Sequence, residues 1–427
     1  MTEDIKETRL ENGLVILTDR MAGVRSATLG FFFRVGSRHE PDHLNGISHF
    51  IEHTVFKGTE KRTALDIAIE QDRLGGNLDA FTTHEETGFA IKVIDDQLPN
   101  AFDLISDMLI NPRFNEVDLE SEQRVIIEEM KMIEDSPEDY LGEIFSEAFF
   151  SGHPLGMNIA GTPKTVRSFD HEVTRRYHEE VFNFSNLVIV AAGNVEHQQI
   201  VDLVLNTNFN RPKTEGSLLK QGLKTHKPVL AAPLLIKQNP NLEQAHLIIA
   251  TPFVSETDER RYAADLLESI IGGGTSSRLW QKVREERGLA YSVGASAIMY
   301  QDCGMFSIFA GTSPDQVKEV VDISIAEMRD MVNNGITAEE LELAKQQTVS
   351  SILLSLEDSA SRAASLAQCE ITHGRQISVE ESIENVKAVE ANDIKALARE
   401  YFRSEKLAFA ALGDLKDLEI ERSRLTI

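Results

Sequence analysis

The sequence predicts an α+β fold of two structurally similar halves, each a mostly antiparallel sheet with helices packed on one face. The first observation is length, because 427 residues exceed what one hydrophobic core usually supports, so two domains are expected. The second is a succession of short apolar runs and longer amphipathic stretches, which predicts strands and helices in one chain. The third is that the same order of elements occurs twice, which indicates an internal duplication.

The first half opens with strands and continues with helices. Residues 14–17 predict an opening strand, and residues 27–35, with three consecutive Phe, predict a buried one. A helix carrying His49 and His53 follows. The remaining predicted elements are helix 66–74, strand 88–94, helix 100–109, helix 119–134, helix 140–150 and strand 187–192.

The second half repeats these pieces about 220 residues later. Residues 185–195 match residues 405–415, and the strand at Gly88 recurs at Gly304. The tripeptide Glu-Asp-Ser at 134–136 recurs at 357–359. Residues 208–226 hold Pro212, Gly216, Gly222 and scattered charge, which is typical of a linker. The predicted boundaries are therefore residues 1–207, a linker at 208–226, and residues 227–427.

Composition favours an ordinary soluble globular protein of a reducing compartment. Hydrophobic residues make up 41% and charged residues 26% of the chain. No apolar run approaches the roughly 20 residues that span a bilayer. The acidic first residues resemble neither a secretory signal nor a mitochondrial transit peptide. Cys303 and Cys369 are the two cysteines, too few for a disulfide framework, and the cytoplasm is the expected compartment.

The formal net charge of −26 disfavours nucleic acid and anionic membranes as partners, because both bind basic surfaces. A solvated acidic surface that aids solubility is one explanation. An acidic chamber that attracts basic peptides is the other.

The motif that carries chemistry is His49-Phe50-Ile51-Glu52-His53. Residues four apart share a helix face, so His49 and His53 can bind one metal ion with Glu52 beside them. This order of residues is the inverted-zincin signature, in which the carboxylate accepts a proton from water. The alternative is an ordinary pair of surface or core histidines that binds no metal.

A catalytic zinc site needs a third protein ligand. The predicted helix 119–134 is rich in glutamate, and Glu122 and Glu129 are seven residues apart, about two turns, so they share a face. Glu128 is rotated by about 100° from Glu129 and points elsewhere. The other acids of this helix are expected on a solvated face.

At these residues the chain resembles the pitrilysin and mitochondrial-processing-peptidase family of zinc metallopeptidases, over nearly its whole length. The similar segments are 49–59, 75–82 and 122–137. The resemblance implies that Glu129 is the third zinc ligand, 76 positions after His53, and that Glu122 supports the site. It also implies one zinc ion per chain, held in the first half, and a short bacterial-type member of the family.

One segment departs from the family pattern. The family usually has Asn-Ala-x-Thr after its paired glycines, on a strand edge that aligns the substrate backbone. This chain has Asp79, Ala80 and Thr82 at the matching positions. Asp keeps a hydrogen-bond acceptor but lacks the amide donor. The resemblance implies substrate binding by these residues, and Asp79 favours basic substrate neighbours.

The second half lacks the metal ligands. Residues 267–271 stand opposite the histidine motif without an imidazole, and Ile352 stands opposite Glu129. Arg284 and Tyr291 resemble the family's paired Arg and Tyr. Negative charge builds on the carbonyl oxygen during attack, and such donors stabilise it. The resemblance therefore implies one catalytic half and one supporting half.

These observations predict a zinc-dependent endopeptidase that cleaves peptides or unstructured polypeptides inside an enclosed chamber. A homodimer is expected, since one chain holds both residue sets. The alternatives are a catalytic subunit of a heterodimer, a non-catalytic assembly subunit and a module that binds peptide or metal without hydrolysis. Manganese or cobalt could occupy the same ligands.

Overall fold

The computed structural model describes residues 3–210, 227–416 and 418–427. Most of the predicted linker, residues 211–226, lies outside the described residues. The described chain forms two compact units. The first contains residues 3–132, 157–210 and 353–378, and the second contains residues 133–156, 227–352 and 379–427 apart from residue 417.

Strands and helices occur in both units, as an α+β fold requires. The strands are β1 (Ile5–Arg9), β2 (Val15–Arg20), β3 (Ser26–Phe33), β4 (Leu78–Thr82), β5 (Thr87–Ile94), β6 (Leu187–Gly193), β7 (Leu234–Gln238), β8 (Ala245–Phe253), β9 (Ala290–Met299), β10 (Gly304–Thr312) and β11 (Ala408–Gly413). The helices are α1 (Ile47–Thr54), α2 (Ala64–Leu74), α3 (Leu98–Ile110), α4 (Glu116–Asp135), α5 (Pro137–Phe149), α6 (Pro163–Val166), α7 (His171–Val181), α8 (His197–Leu205), α9 (Arg261–Gly272), α10 (Val317–Asn333), α11 (Ala338–Ser355), α12 (Ser359–His373), α13 (Val379–Ala388) and α14 (Ala391–Tyr401).

Each unit is built on one sheet. The strand order is β1-β2-β6-β3-β5-β4 in the first unit and β7-β11-β8-β10-β9 in the second. In the first sheet β2 and β6 are parallel and the other neighbours antiparallel. The second sheet has the same pattern, with β7 and β11 as its parallel pair. Among the described residues it repeats the first sheet without an equivalent of β1, so the predicted fold of two similar, mostly antiparallel halves is confirmed.

Both faces of each sheet are covered, whereas the sequence predicted helices on one face. Alternate residues of β6 point to opposite faces. Leu187, Ile189 and Ala191 belong to the main core of the first unit. Val188, Val190 and Ala192 pack on the other face against Ala363, Leu366 and Ala367 of α12. Every residue of β6 is therefore apolar and buried, and the second face requires its own cover.

The helices that cover these second faces come from the other half of the sequence. Residues 353–378, which include α12, belong to the first unit, and residues 133–156, which include α5, belong to the second. In the second unit α5 packs Leu141, Phe145 and Phe149 into a cluster with strand β11. The domain boundaries predicted at residues 207 and 227 divide the chain only once, so they do not describe this exchange of segments between the units. The repeated Glu-Asp-Ser tripeptides lie where the chain enters the exchanged segments.

A buried ion pair joins α12 to the sheet of the first unit. Arg362 Nη1 donates to Asp19 Oδ2 at 2.7 Å, and both side chains are less than 5% exposed. We expect Arg362→Ala to lower the free energy of unfolding by about 3–5 kcal/mol, because it leaves Asp19 buried without its counter-charge.

Urea denaturation followed by circular dichroism measures this loss. Arg176→Ala is the matched control, since Arg176 pairs with Glu180 on the surface of α7 and should change the same quantity by less than about 1 kcal/mol. Equal losses in the two variants would contradict the role of the buried pair.

Candidate metal centre

Helix α1 is fixed at its beginning by a buried carboxylate. Its N-cap is Gly46, with φ of 96°, where an added Cβ would lie 2.5 Å from the Ala160 oxygen. Glu40 accepts hydrogen bonds from the backbone N–H groups of Gly46 at 2.7 Å and Ser48 at 2.8 Å. Burial raises the pKa of Glu40 to about 7, although these hydrogen bonds oppose the shift. The first turn of α1 is thus capped by the side chain of Glu40, a few residues before the helix, because the N-cap Gly46 has no side chain to do so.

The apolar face of α1 orients its histidines. Ile47, Phe50 and Ile51 are fully buried and stand at the i, i+3, i+4 spacing that anchors one helix face. His49 and His53 lie off this face, with side chains 12% and 22% exposed. Their rings are 4.7 Å apart between centroids. The helix therefore holds both imidazoles close together on a face different from its apolar one.

Glu129 of α4 completes a group of three ligands. Its Oε2 lies 3.8 Å from His49 Nε2 and 3.6 Å from His53 Nε2. One ligand atom from each residue lies within 4.8 Å of the others. Four ligands around zinc at about 2.1 Å would be roughly 3.4 Å apart. The observed separations are close to this spacing.

The polar atoms of this group fit a cation. Glu129 Oε2 is buried and has no hydrogen-bond donor among the described residues, an arrangement that is costly unless a cation compensates it. Burial and, to a smaller extent, the charge of His53 lower the pKa of His49 to about 4. A neutral imidazole is the form that binds metal. The three residues thus suit a divalent ion of the zinc type.

Glu122 holds His53 in place. Its Oε2 lies 3.2 Å from His53 Nδ1, and its Oε1 lies 2.8 Å from Lys57 Nζ. With the His53 Nδ1–H donating to Glu122, Nε2 is the free atom that faces Glu129. Burial would raise the pKa of Glu122, but the hydrogen bonds from His53 and Lys57 outweigh it and the pKa falls. Sequence reasoning gave Lys57 no role, although it stands four residues after His53.

Burial is also the largest influence on His53 and tends to lower its pKa. The hydrogen bond to Glu122 and the charges of Glu129 and Glu52 outweigh burial, so the pKa is raised. The same negative charge attracts a metal cation, which competes with the proton for the imidazole.

Glu52 and Thr82 form a second pair in the first unit. Thr82 Oγ1 donates to Glu52 Oε2 at 2.7 Å. Burial raises the pKa of Glu52, although this hydrogen bond opposes the shift. The charges of His53 and Glu129 also act on the Glu52 carboxylate. A carboxylate held this way can exchange a proton near the metal ligands.

Strand β4, which carries three predicted substrate-binding residues, lies at an edge of the first sheet. Ala80 packs against the main core, on the side where Thr82 meets Glu52. Side chains alternate along a strand, so Asp79 and Phe81 belong to the opposite face. Phe81 accordingly packs against Phe32, with ring centroids 6.1 Å apart. The exposed Asp79 side chain therefore points away from Glu52.

Arg284 and Tyr291 lie together in the second unit. The Arg284 guanidinium is 4.9 Å from the centre of the Tyr291 ring, and Tyr291 is 79% exposed. The cluster of His49, His53 and Glu129 is the one metal-ligand group found in the described residues, so the described part of the second unit supplies none. None of the described helices is both long and apolar enough to cross a membrane.

Two family models match the chain. Residues 15–163 match the model described as Insulinase (Peptidase family M16), and residues 168–348 match the one described as Peptidase M16 inactive domain. The first range contains the histidine motif and Glu129, and the second contains Arg284 and Tyr291.

The chain is similar to named bacterial proteins over nearly its full length. It is 36% identical over 424 residues to an uncharacterized zinc protease of Streptomyces coelicolor, covering 98% of this chain and 91% of that protein. It is 36% identical over 411 residues to an uncharacterized zinc protease of Bacillus subtilis, covering 96% and 98%. The crystal structure of a protease from Helicobacter pylori shares the fold, with a TM-score of 0.87, 20% identity and coverage of 96% and 100%.

Proposed function

This chain belongs to the insulinase (M16) family of peptidases, and from that membership we propose that it is a zinc-dependent endopeptidase that cleaves peptides or unstructured polypeptides. The observation that carries the proposal is the convergence of His49, His53 and Glu129 beside Glu52. Relatives named zinc proteases support zinc as the metal.

His49, His53 and Glu129 would hold the ion. When bound, zinc supplies Lewis acidity, which polarises a peptide carbonyl and acidifies water at an open fourth position. Glu122 fixes the orientation of His53, and Lys57 neutralises the other oxygen of Glu122. Such supporting contacts typically change metal affinity or activity by about 10- to 100-fold.

Glu52 is the proposed proton carrier. It accepts a proton from the attacking water and returns it to the leaving amine. Thr82 holds its Oε2 and leaves the other oxygen to receive the proton. Burial raises the pKa of the Glu52 carboxyl, which brings it closer to the range suited to proton transfer near neutral pH.

The edge strand β4 is the proposed binding site for the peptide backbone. Among the described strands, β4 pairs with β5 on one side, so its other edge can accept an extended peptide by strand addition. In this proposal the main chain at Asp79 and Ala80 makes the contacts, while Arg284 and Tyr291 donate hydrogen bonds to the peptide. The enclosed chamber, the homodimer, the preference for basic peptides and the cytoplasmic location stay predictions.

Thr82 offers a specific prediction. We expect Thr82→Val to lower kcat roughly tenfold with KM unchanged, because a hydrogen bond to a charged group contributes about 1.5–3 kcal/mol. Thr82→Ser keeps the hydroxyl and should keep most of the activity. Steady-state kinetics on a quenched fluorescent peptide measures both variants. A rise in KM alone in Thr82→Val would instead assign the hydroxyl to substrate binding.

Two measurements on the purified full chain test the proposed function. The first is bound zinc per chain, and the second is cleavage of an unstructured peptide, with products identified by mass spectrometry. One zinc ion with internal cleavage supports an endopeptidase. One zinc ion without cleavage favours a binding module. The absence of both bound zinc and cleavage favours a non-catalytic assembly subunit. The complete set of candidate ligands disfavours the assembly subunit.

A further inference from the structure

The guanidinium of Arg284 lies close to two aromatic rings. It is 4.0 Å from the centroid of the Trp280 ring and 4.9 Å from that of the Tyr291 ring. A cation over an aromatic face is attracted by the ring quadrupole, which is negative at the face. Two rings therefore restrict this side chain, which is otherwise one of the most flexible types.

An unusual backbone conformation supports this arrangement. Trp280–Glu285 form a π-helix, a rare element that is frequent at functional sites. The Trp280 Nε1–H donates to Glu285 Oε1 at 3.1 Å, which fixes the indole plane. The Leu289 N–H donates to the Val283 oxygen at 2.9 Å, so the chain turns directly into β9, where Tyr291 stands.

Arg284 has no carboxylate partner among the described residues, although the chain contains 69 acidic and 43 basic residues. Neighbouring arginines differ, because Arg278 pairs with Glu340 and Arg287 pairs with Glu319. The N–H donors of a guanidinium lie at the edge of its plane, which stacking on an aromatic ring leaves uncovered. These donors are available to a peptide oxygen.

Trp280 does not act as a core residue. It is half-buried and belongs to none of the apolar clusters formed by the described residues. It is also the only tryptophan of the chain. Its ring contacts the Arg284 guanidinium and its Nε1–H binds Glu285, so its specific interactions are polar and cationic.

We propose that Trp280 is a positioning residue, whose ring holds Arg284 so that the guanidinium N–H groups and the Tyr291 hydroxyl bind a carbonyl oxygen of a peptide. This inference rests on the proposed function and adds a residue that acts through Arg284. The Trp280 ring itself makes no bond to the peptide.

A double-mutant cycle tests it in the Glu52→Gln full chain, where binding is measured without cleavage. The probe is a dye-labelled, basic, unstructured peptide, and fluorescence anisotropy gives its Kd. We expect Trp280→Leu to weaken binding roughly fivefold, while Trp280→Phe keeps a ring and stays within about twofold. Trp280→Leu should have no further effect in the presence of Arg284→Ala, because coupled residues are not additive.

Tyr262→Leu is the matched control, because Arg261 lies 4.4 Å from the Tyr262 ring in the same unit. It should leave the Kd unchanged, and thermal melts check that each variant folds. Losses that add in the double variant, or an equal loss in Tyr262→Leu, would overturn the inference. So would an absence of peptide binding. Coupled losses in Kd without any cleavage by the unsubstituted chain would retain the inference and reject the endopeptidase.

Discussion

Glu52→Gln is expected to abolish peptide cleavage while the chain keeps its metal. Glutamine has nearly the same shape as glutamate and can still accept the Thr82 hydrogen bond at its amide oxygen. It cannot accept a proton at neutral pH. General base catalysis typically contributes about 10²–10⁴-fold, so kcat should fall by at least about a hundredfold. Cleavage assays and zinc content on the same sample measure both parts of this prediction.

Glu128→Gln is the matched control for Glu52→Gln. Glu128 is adjacent to Glu129 in sequence, but its side chain is 68% exposed and pairs with Lys131. This variant also loses one negative charge, and it should keep both its metal and its activity. Full cleavage by Glu52→Gln would remove Glu52 from the mechanism, and loss of zinc would mean that the substitution disturbs the site.

Replacement of a proposed metal ligand is expected to cause the second large effect, the loss of bound zinc and of cleavage. Glu129→Gln or His49→Ala should reduce bound zinc from one ion per chain to less than about a tenth after dialysis, because zinc requires three protein ligands to be held firmly. Cleavage should fall in proportion to the metal. Glu122→Gln should keep the ion but weaken its binding by about 10- to 100-fold, since Glu122 orients His53 without being one of the three.

His43→Ala provides the control for these variants. His43 is exposed and lies six residues before His49, so its removal should change neither zinc content nor cleavage. Chelation of the unsubstituted chain followed by return of zinc should restore activity, which separates metal loss from unfolding. Retention of one tightly bound zinc ion by Glu129→Gln would contradict the proposed ligand set.

The candidate site was accessible from the sequence because its geometry is largely local. Helical periodicity alone places His49 and His53 on one face of α1 and Glu122 and Glu129 on one face of α4. The family resemblance then implied that Glu129 of α4 binds the same metal ion as the two histidines of α1. One ligand atom each of His49, His53 and Glu129 lies within 4.8 Å of the others, and the role of these three residues as zinc ligands stays a prediction that the experiments above test.

The contacts that hold those residues were not accessible. Glu40 at the start of α1, Lys57 beside Glu122, and Thr82 on Glu52 are all polar residues. The sequence resemblance suggested substrate contact for Thr82. The Thr82 hydroxyl could donate a hydrogen bond equally well to a peptide or to a carboxylate. The position of helix α1, which is distant in sequence, decides that it donates to Glu52.

By itself, the sequence determined that the chain is a duplicated α+β protein and predicted its candidate metal ligands in one half, because periodicity and repeated segments are properties of short stretches. The continuous apolar run of β6 also indicates a strand that is buried on both faces. Only the tertiary structure decided that α12 covers the second face in the first unit and that α5 covers the equivalent face in the second. The physical reason is that apolar burial is not directional. Several helices of this chain could cover either sheet, and the fit of side chains such as Arg362 against Asp19 selects among them.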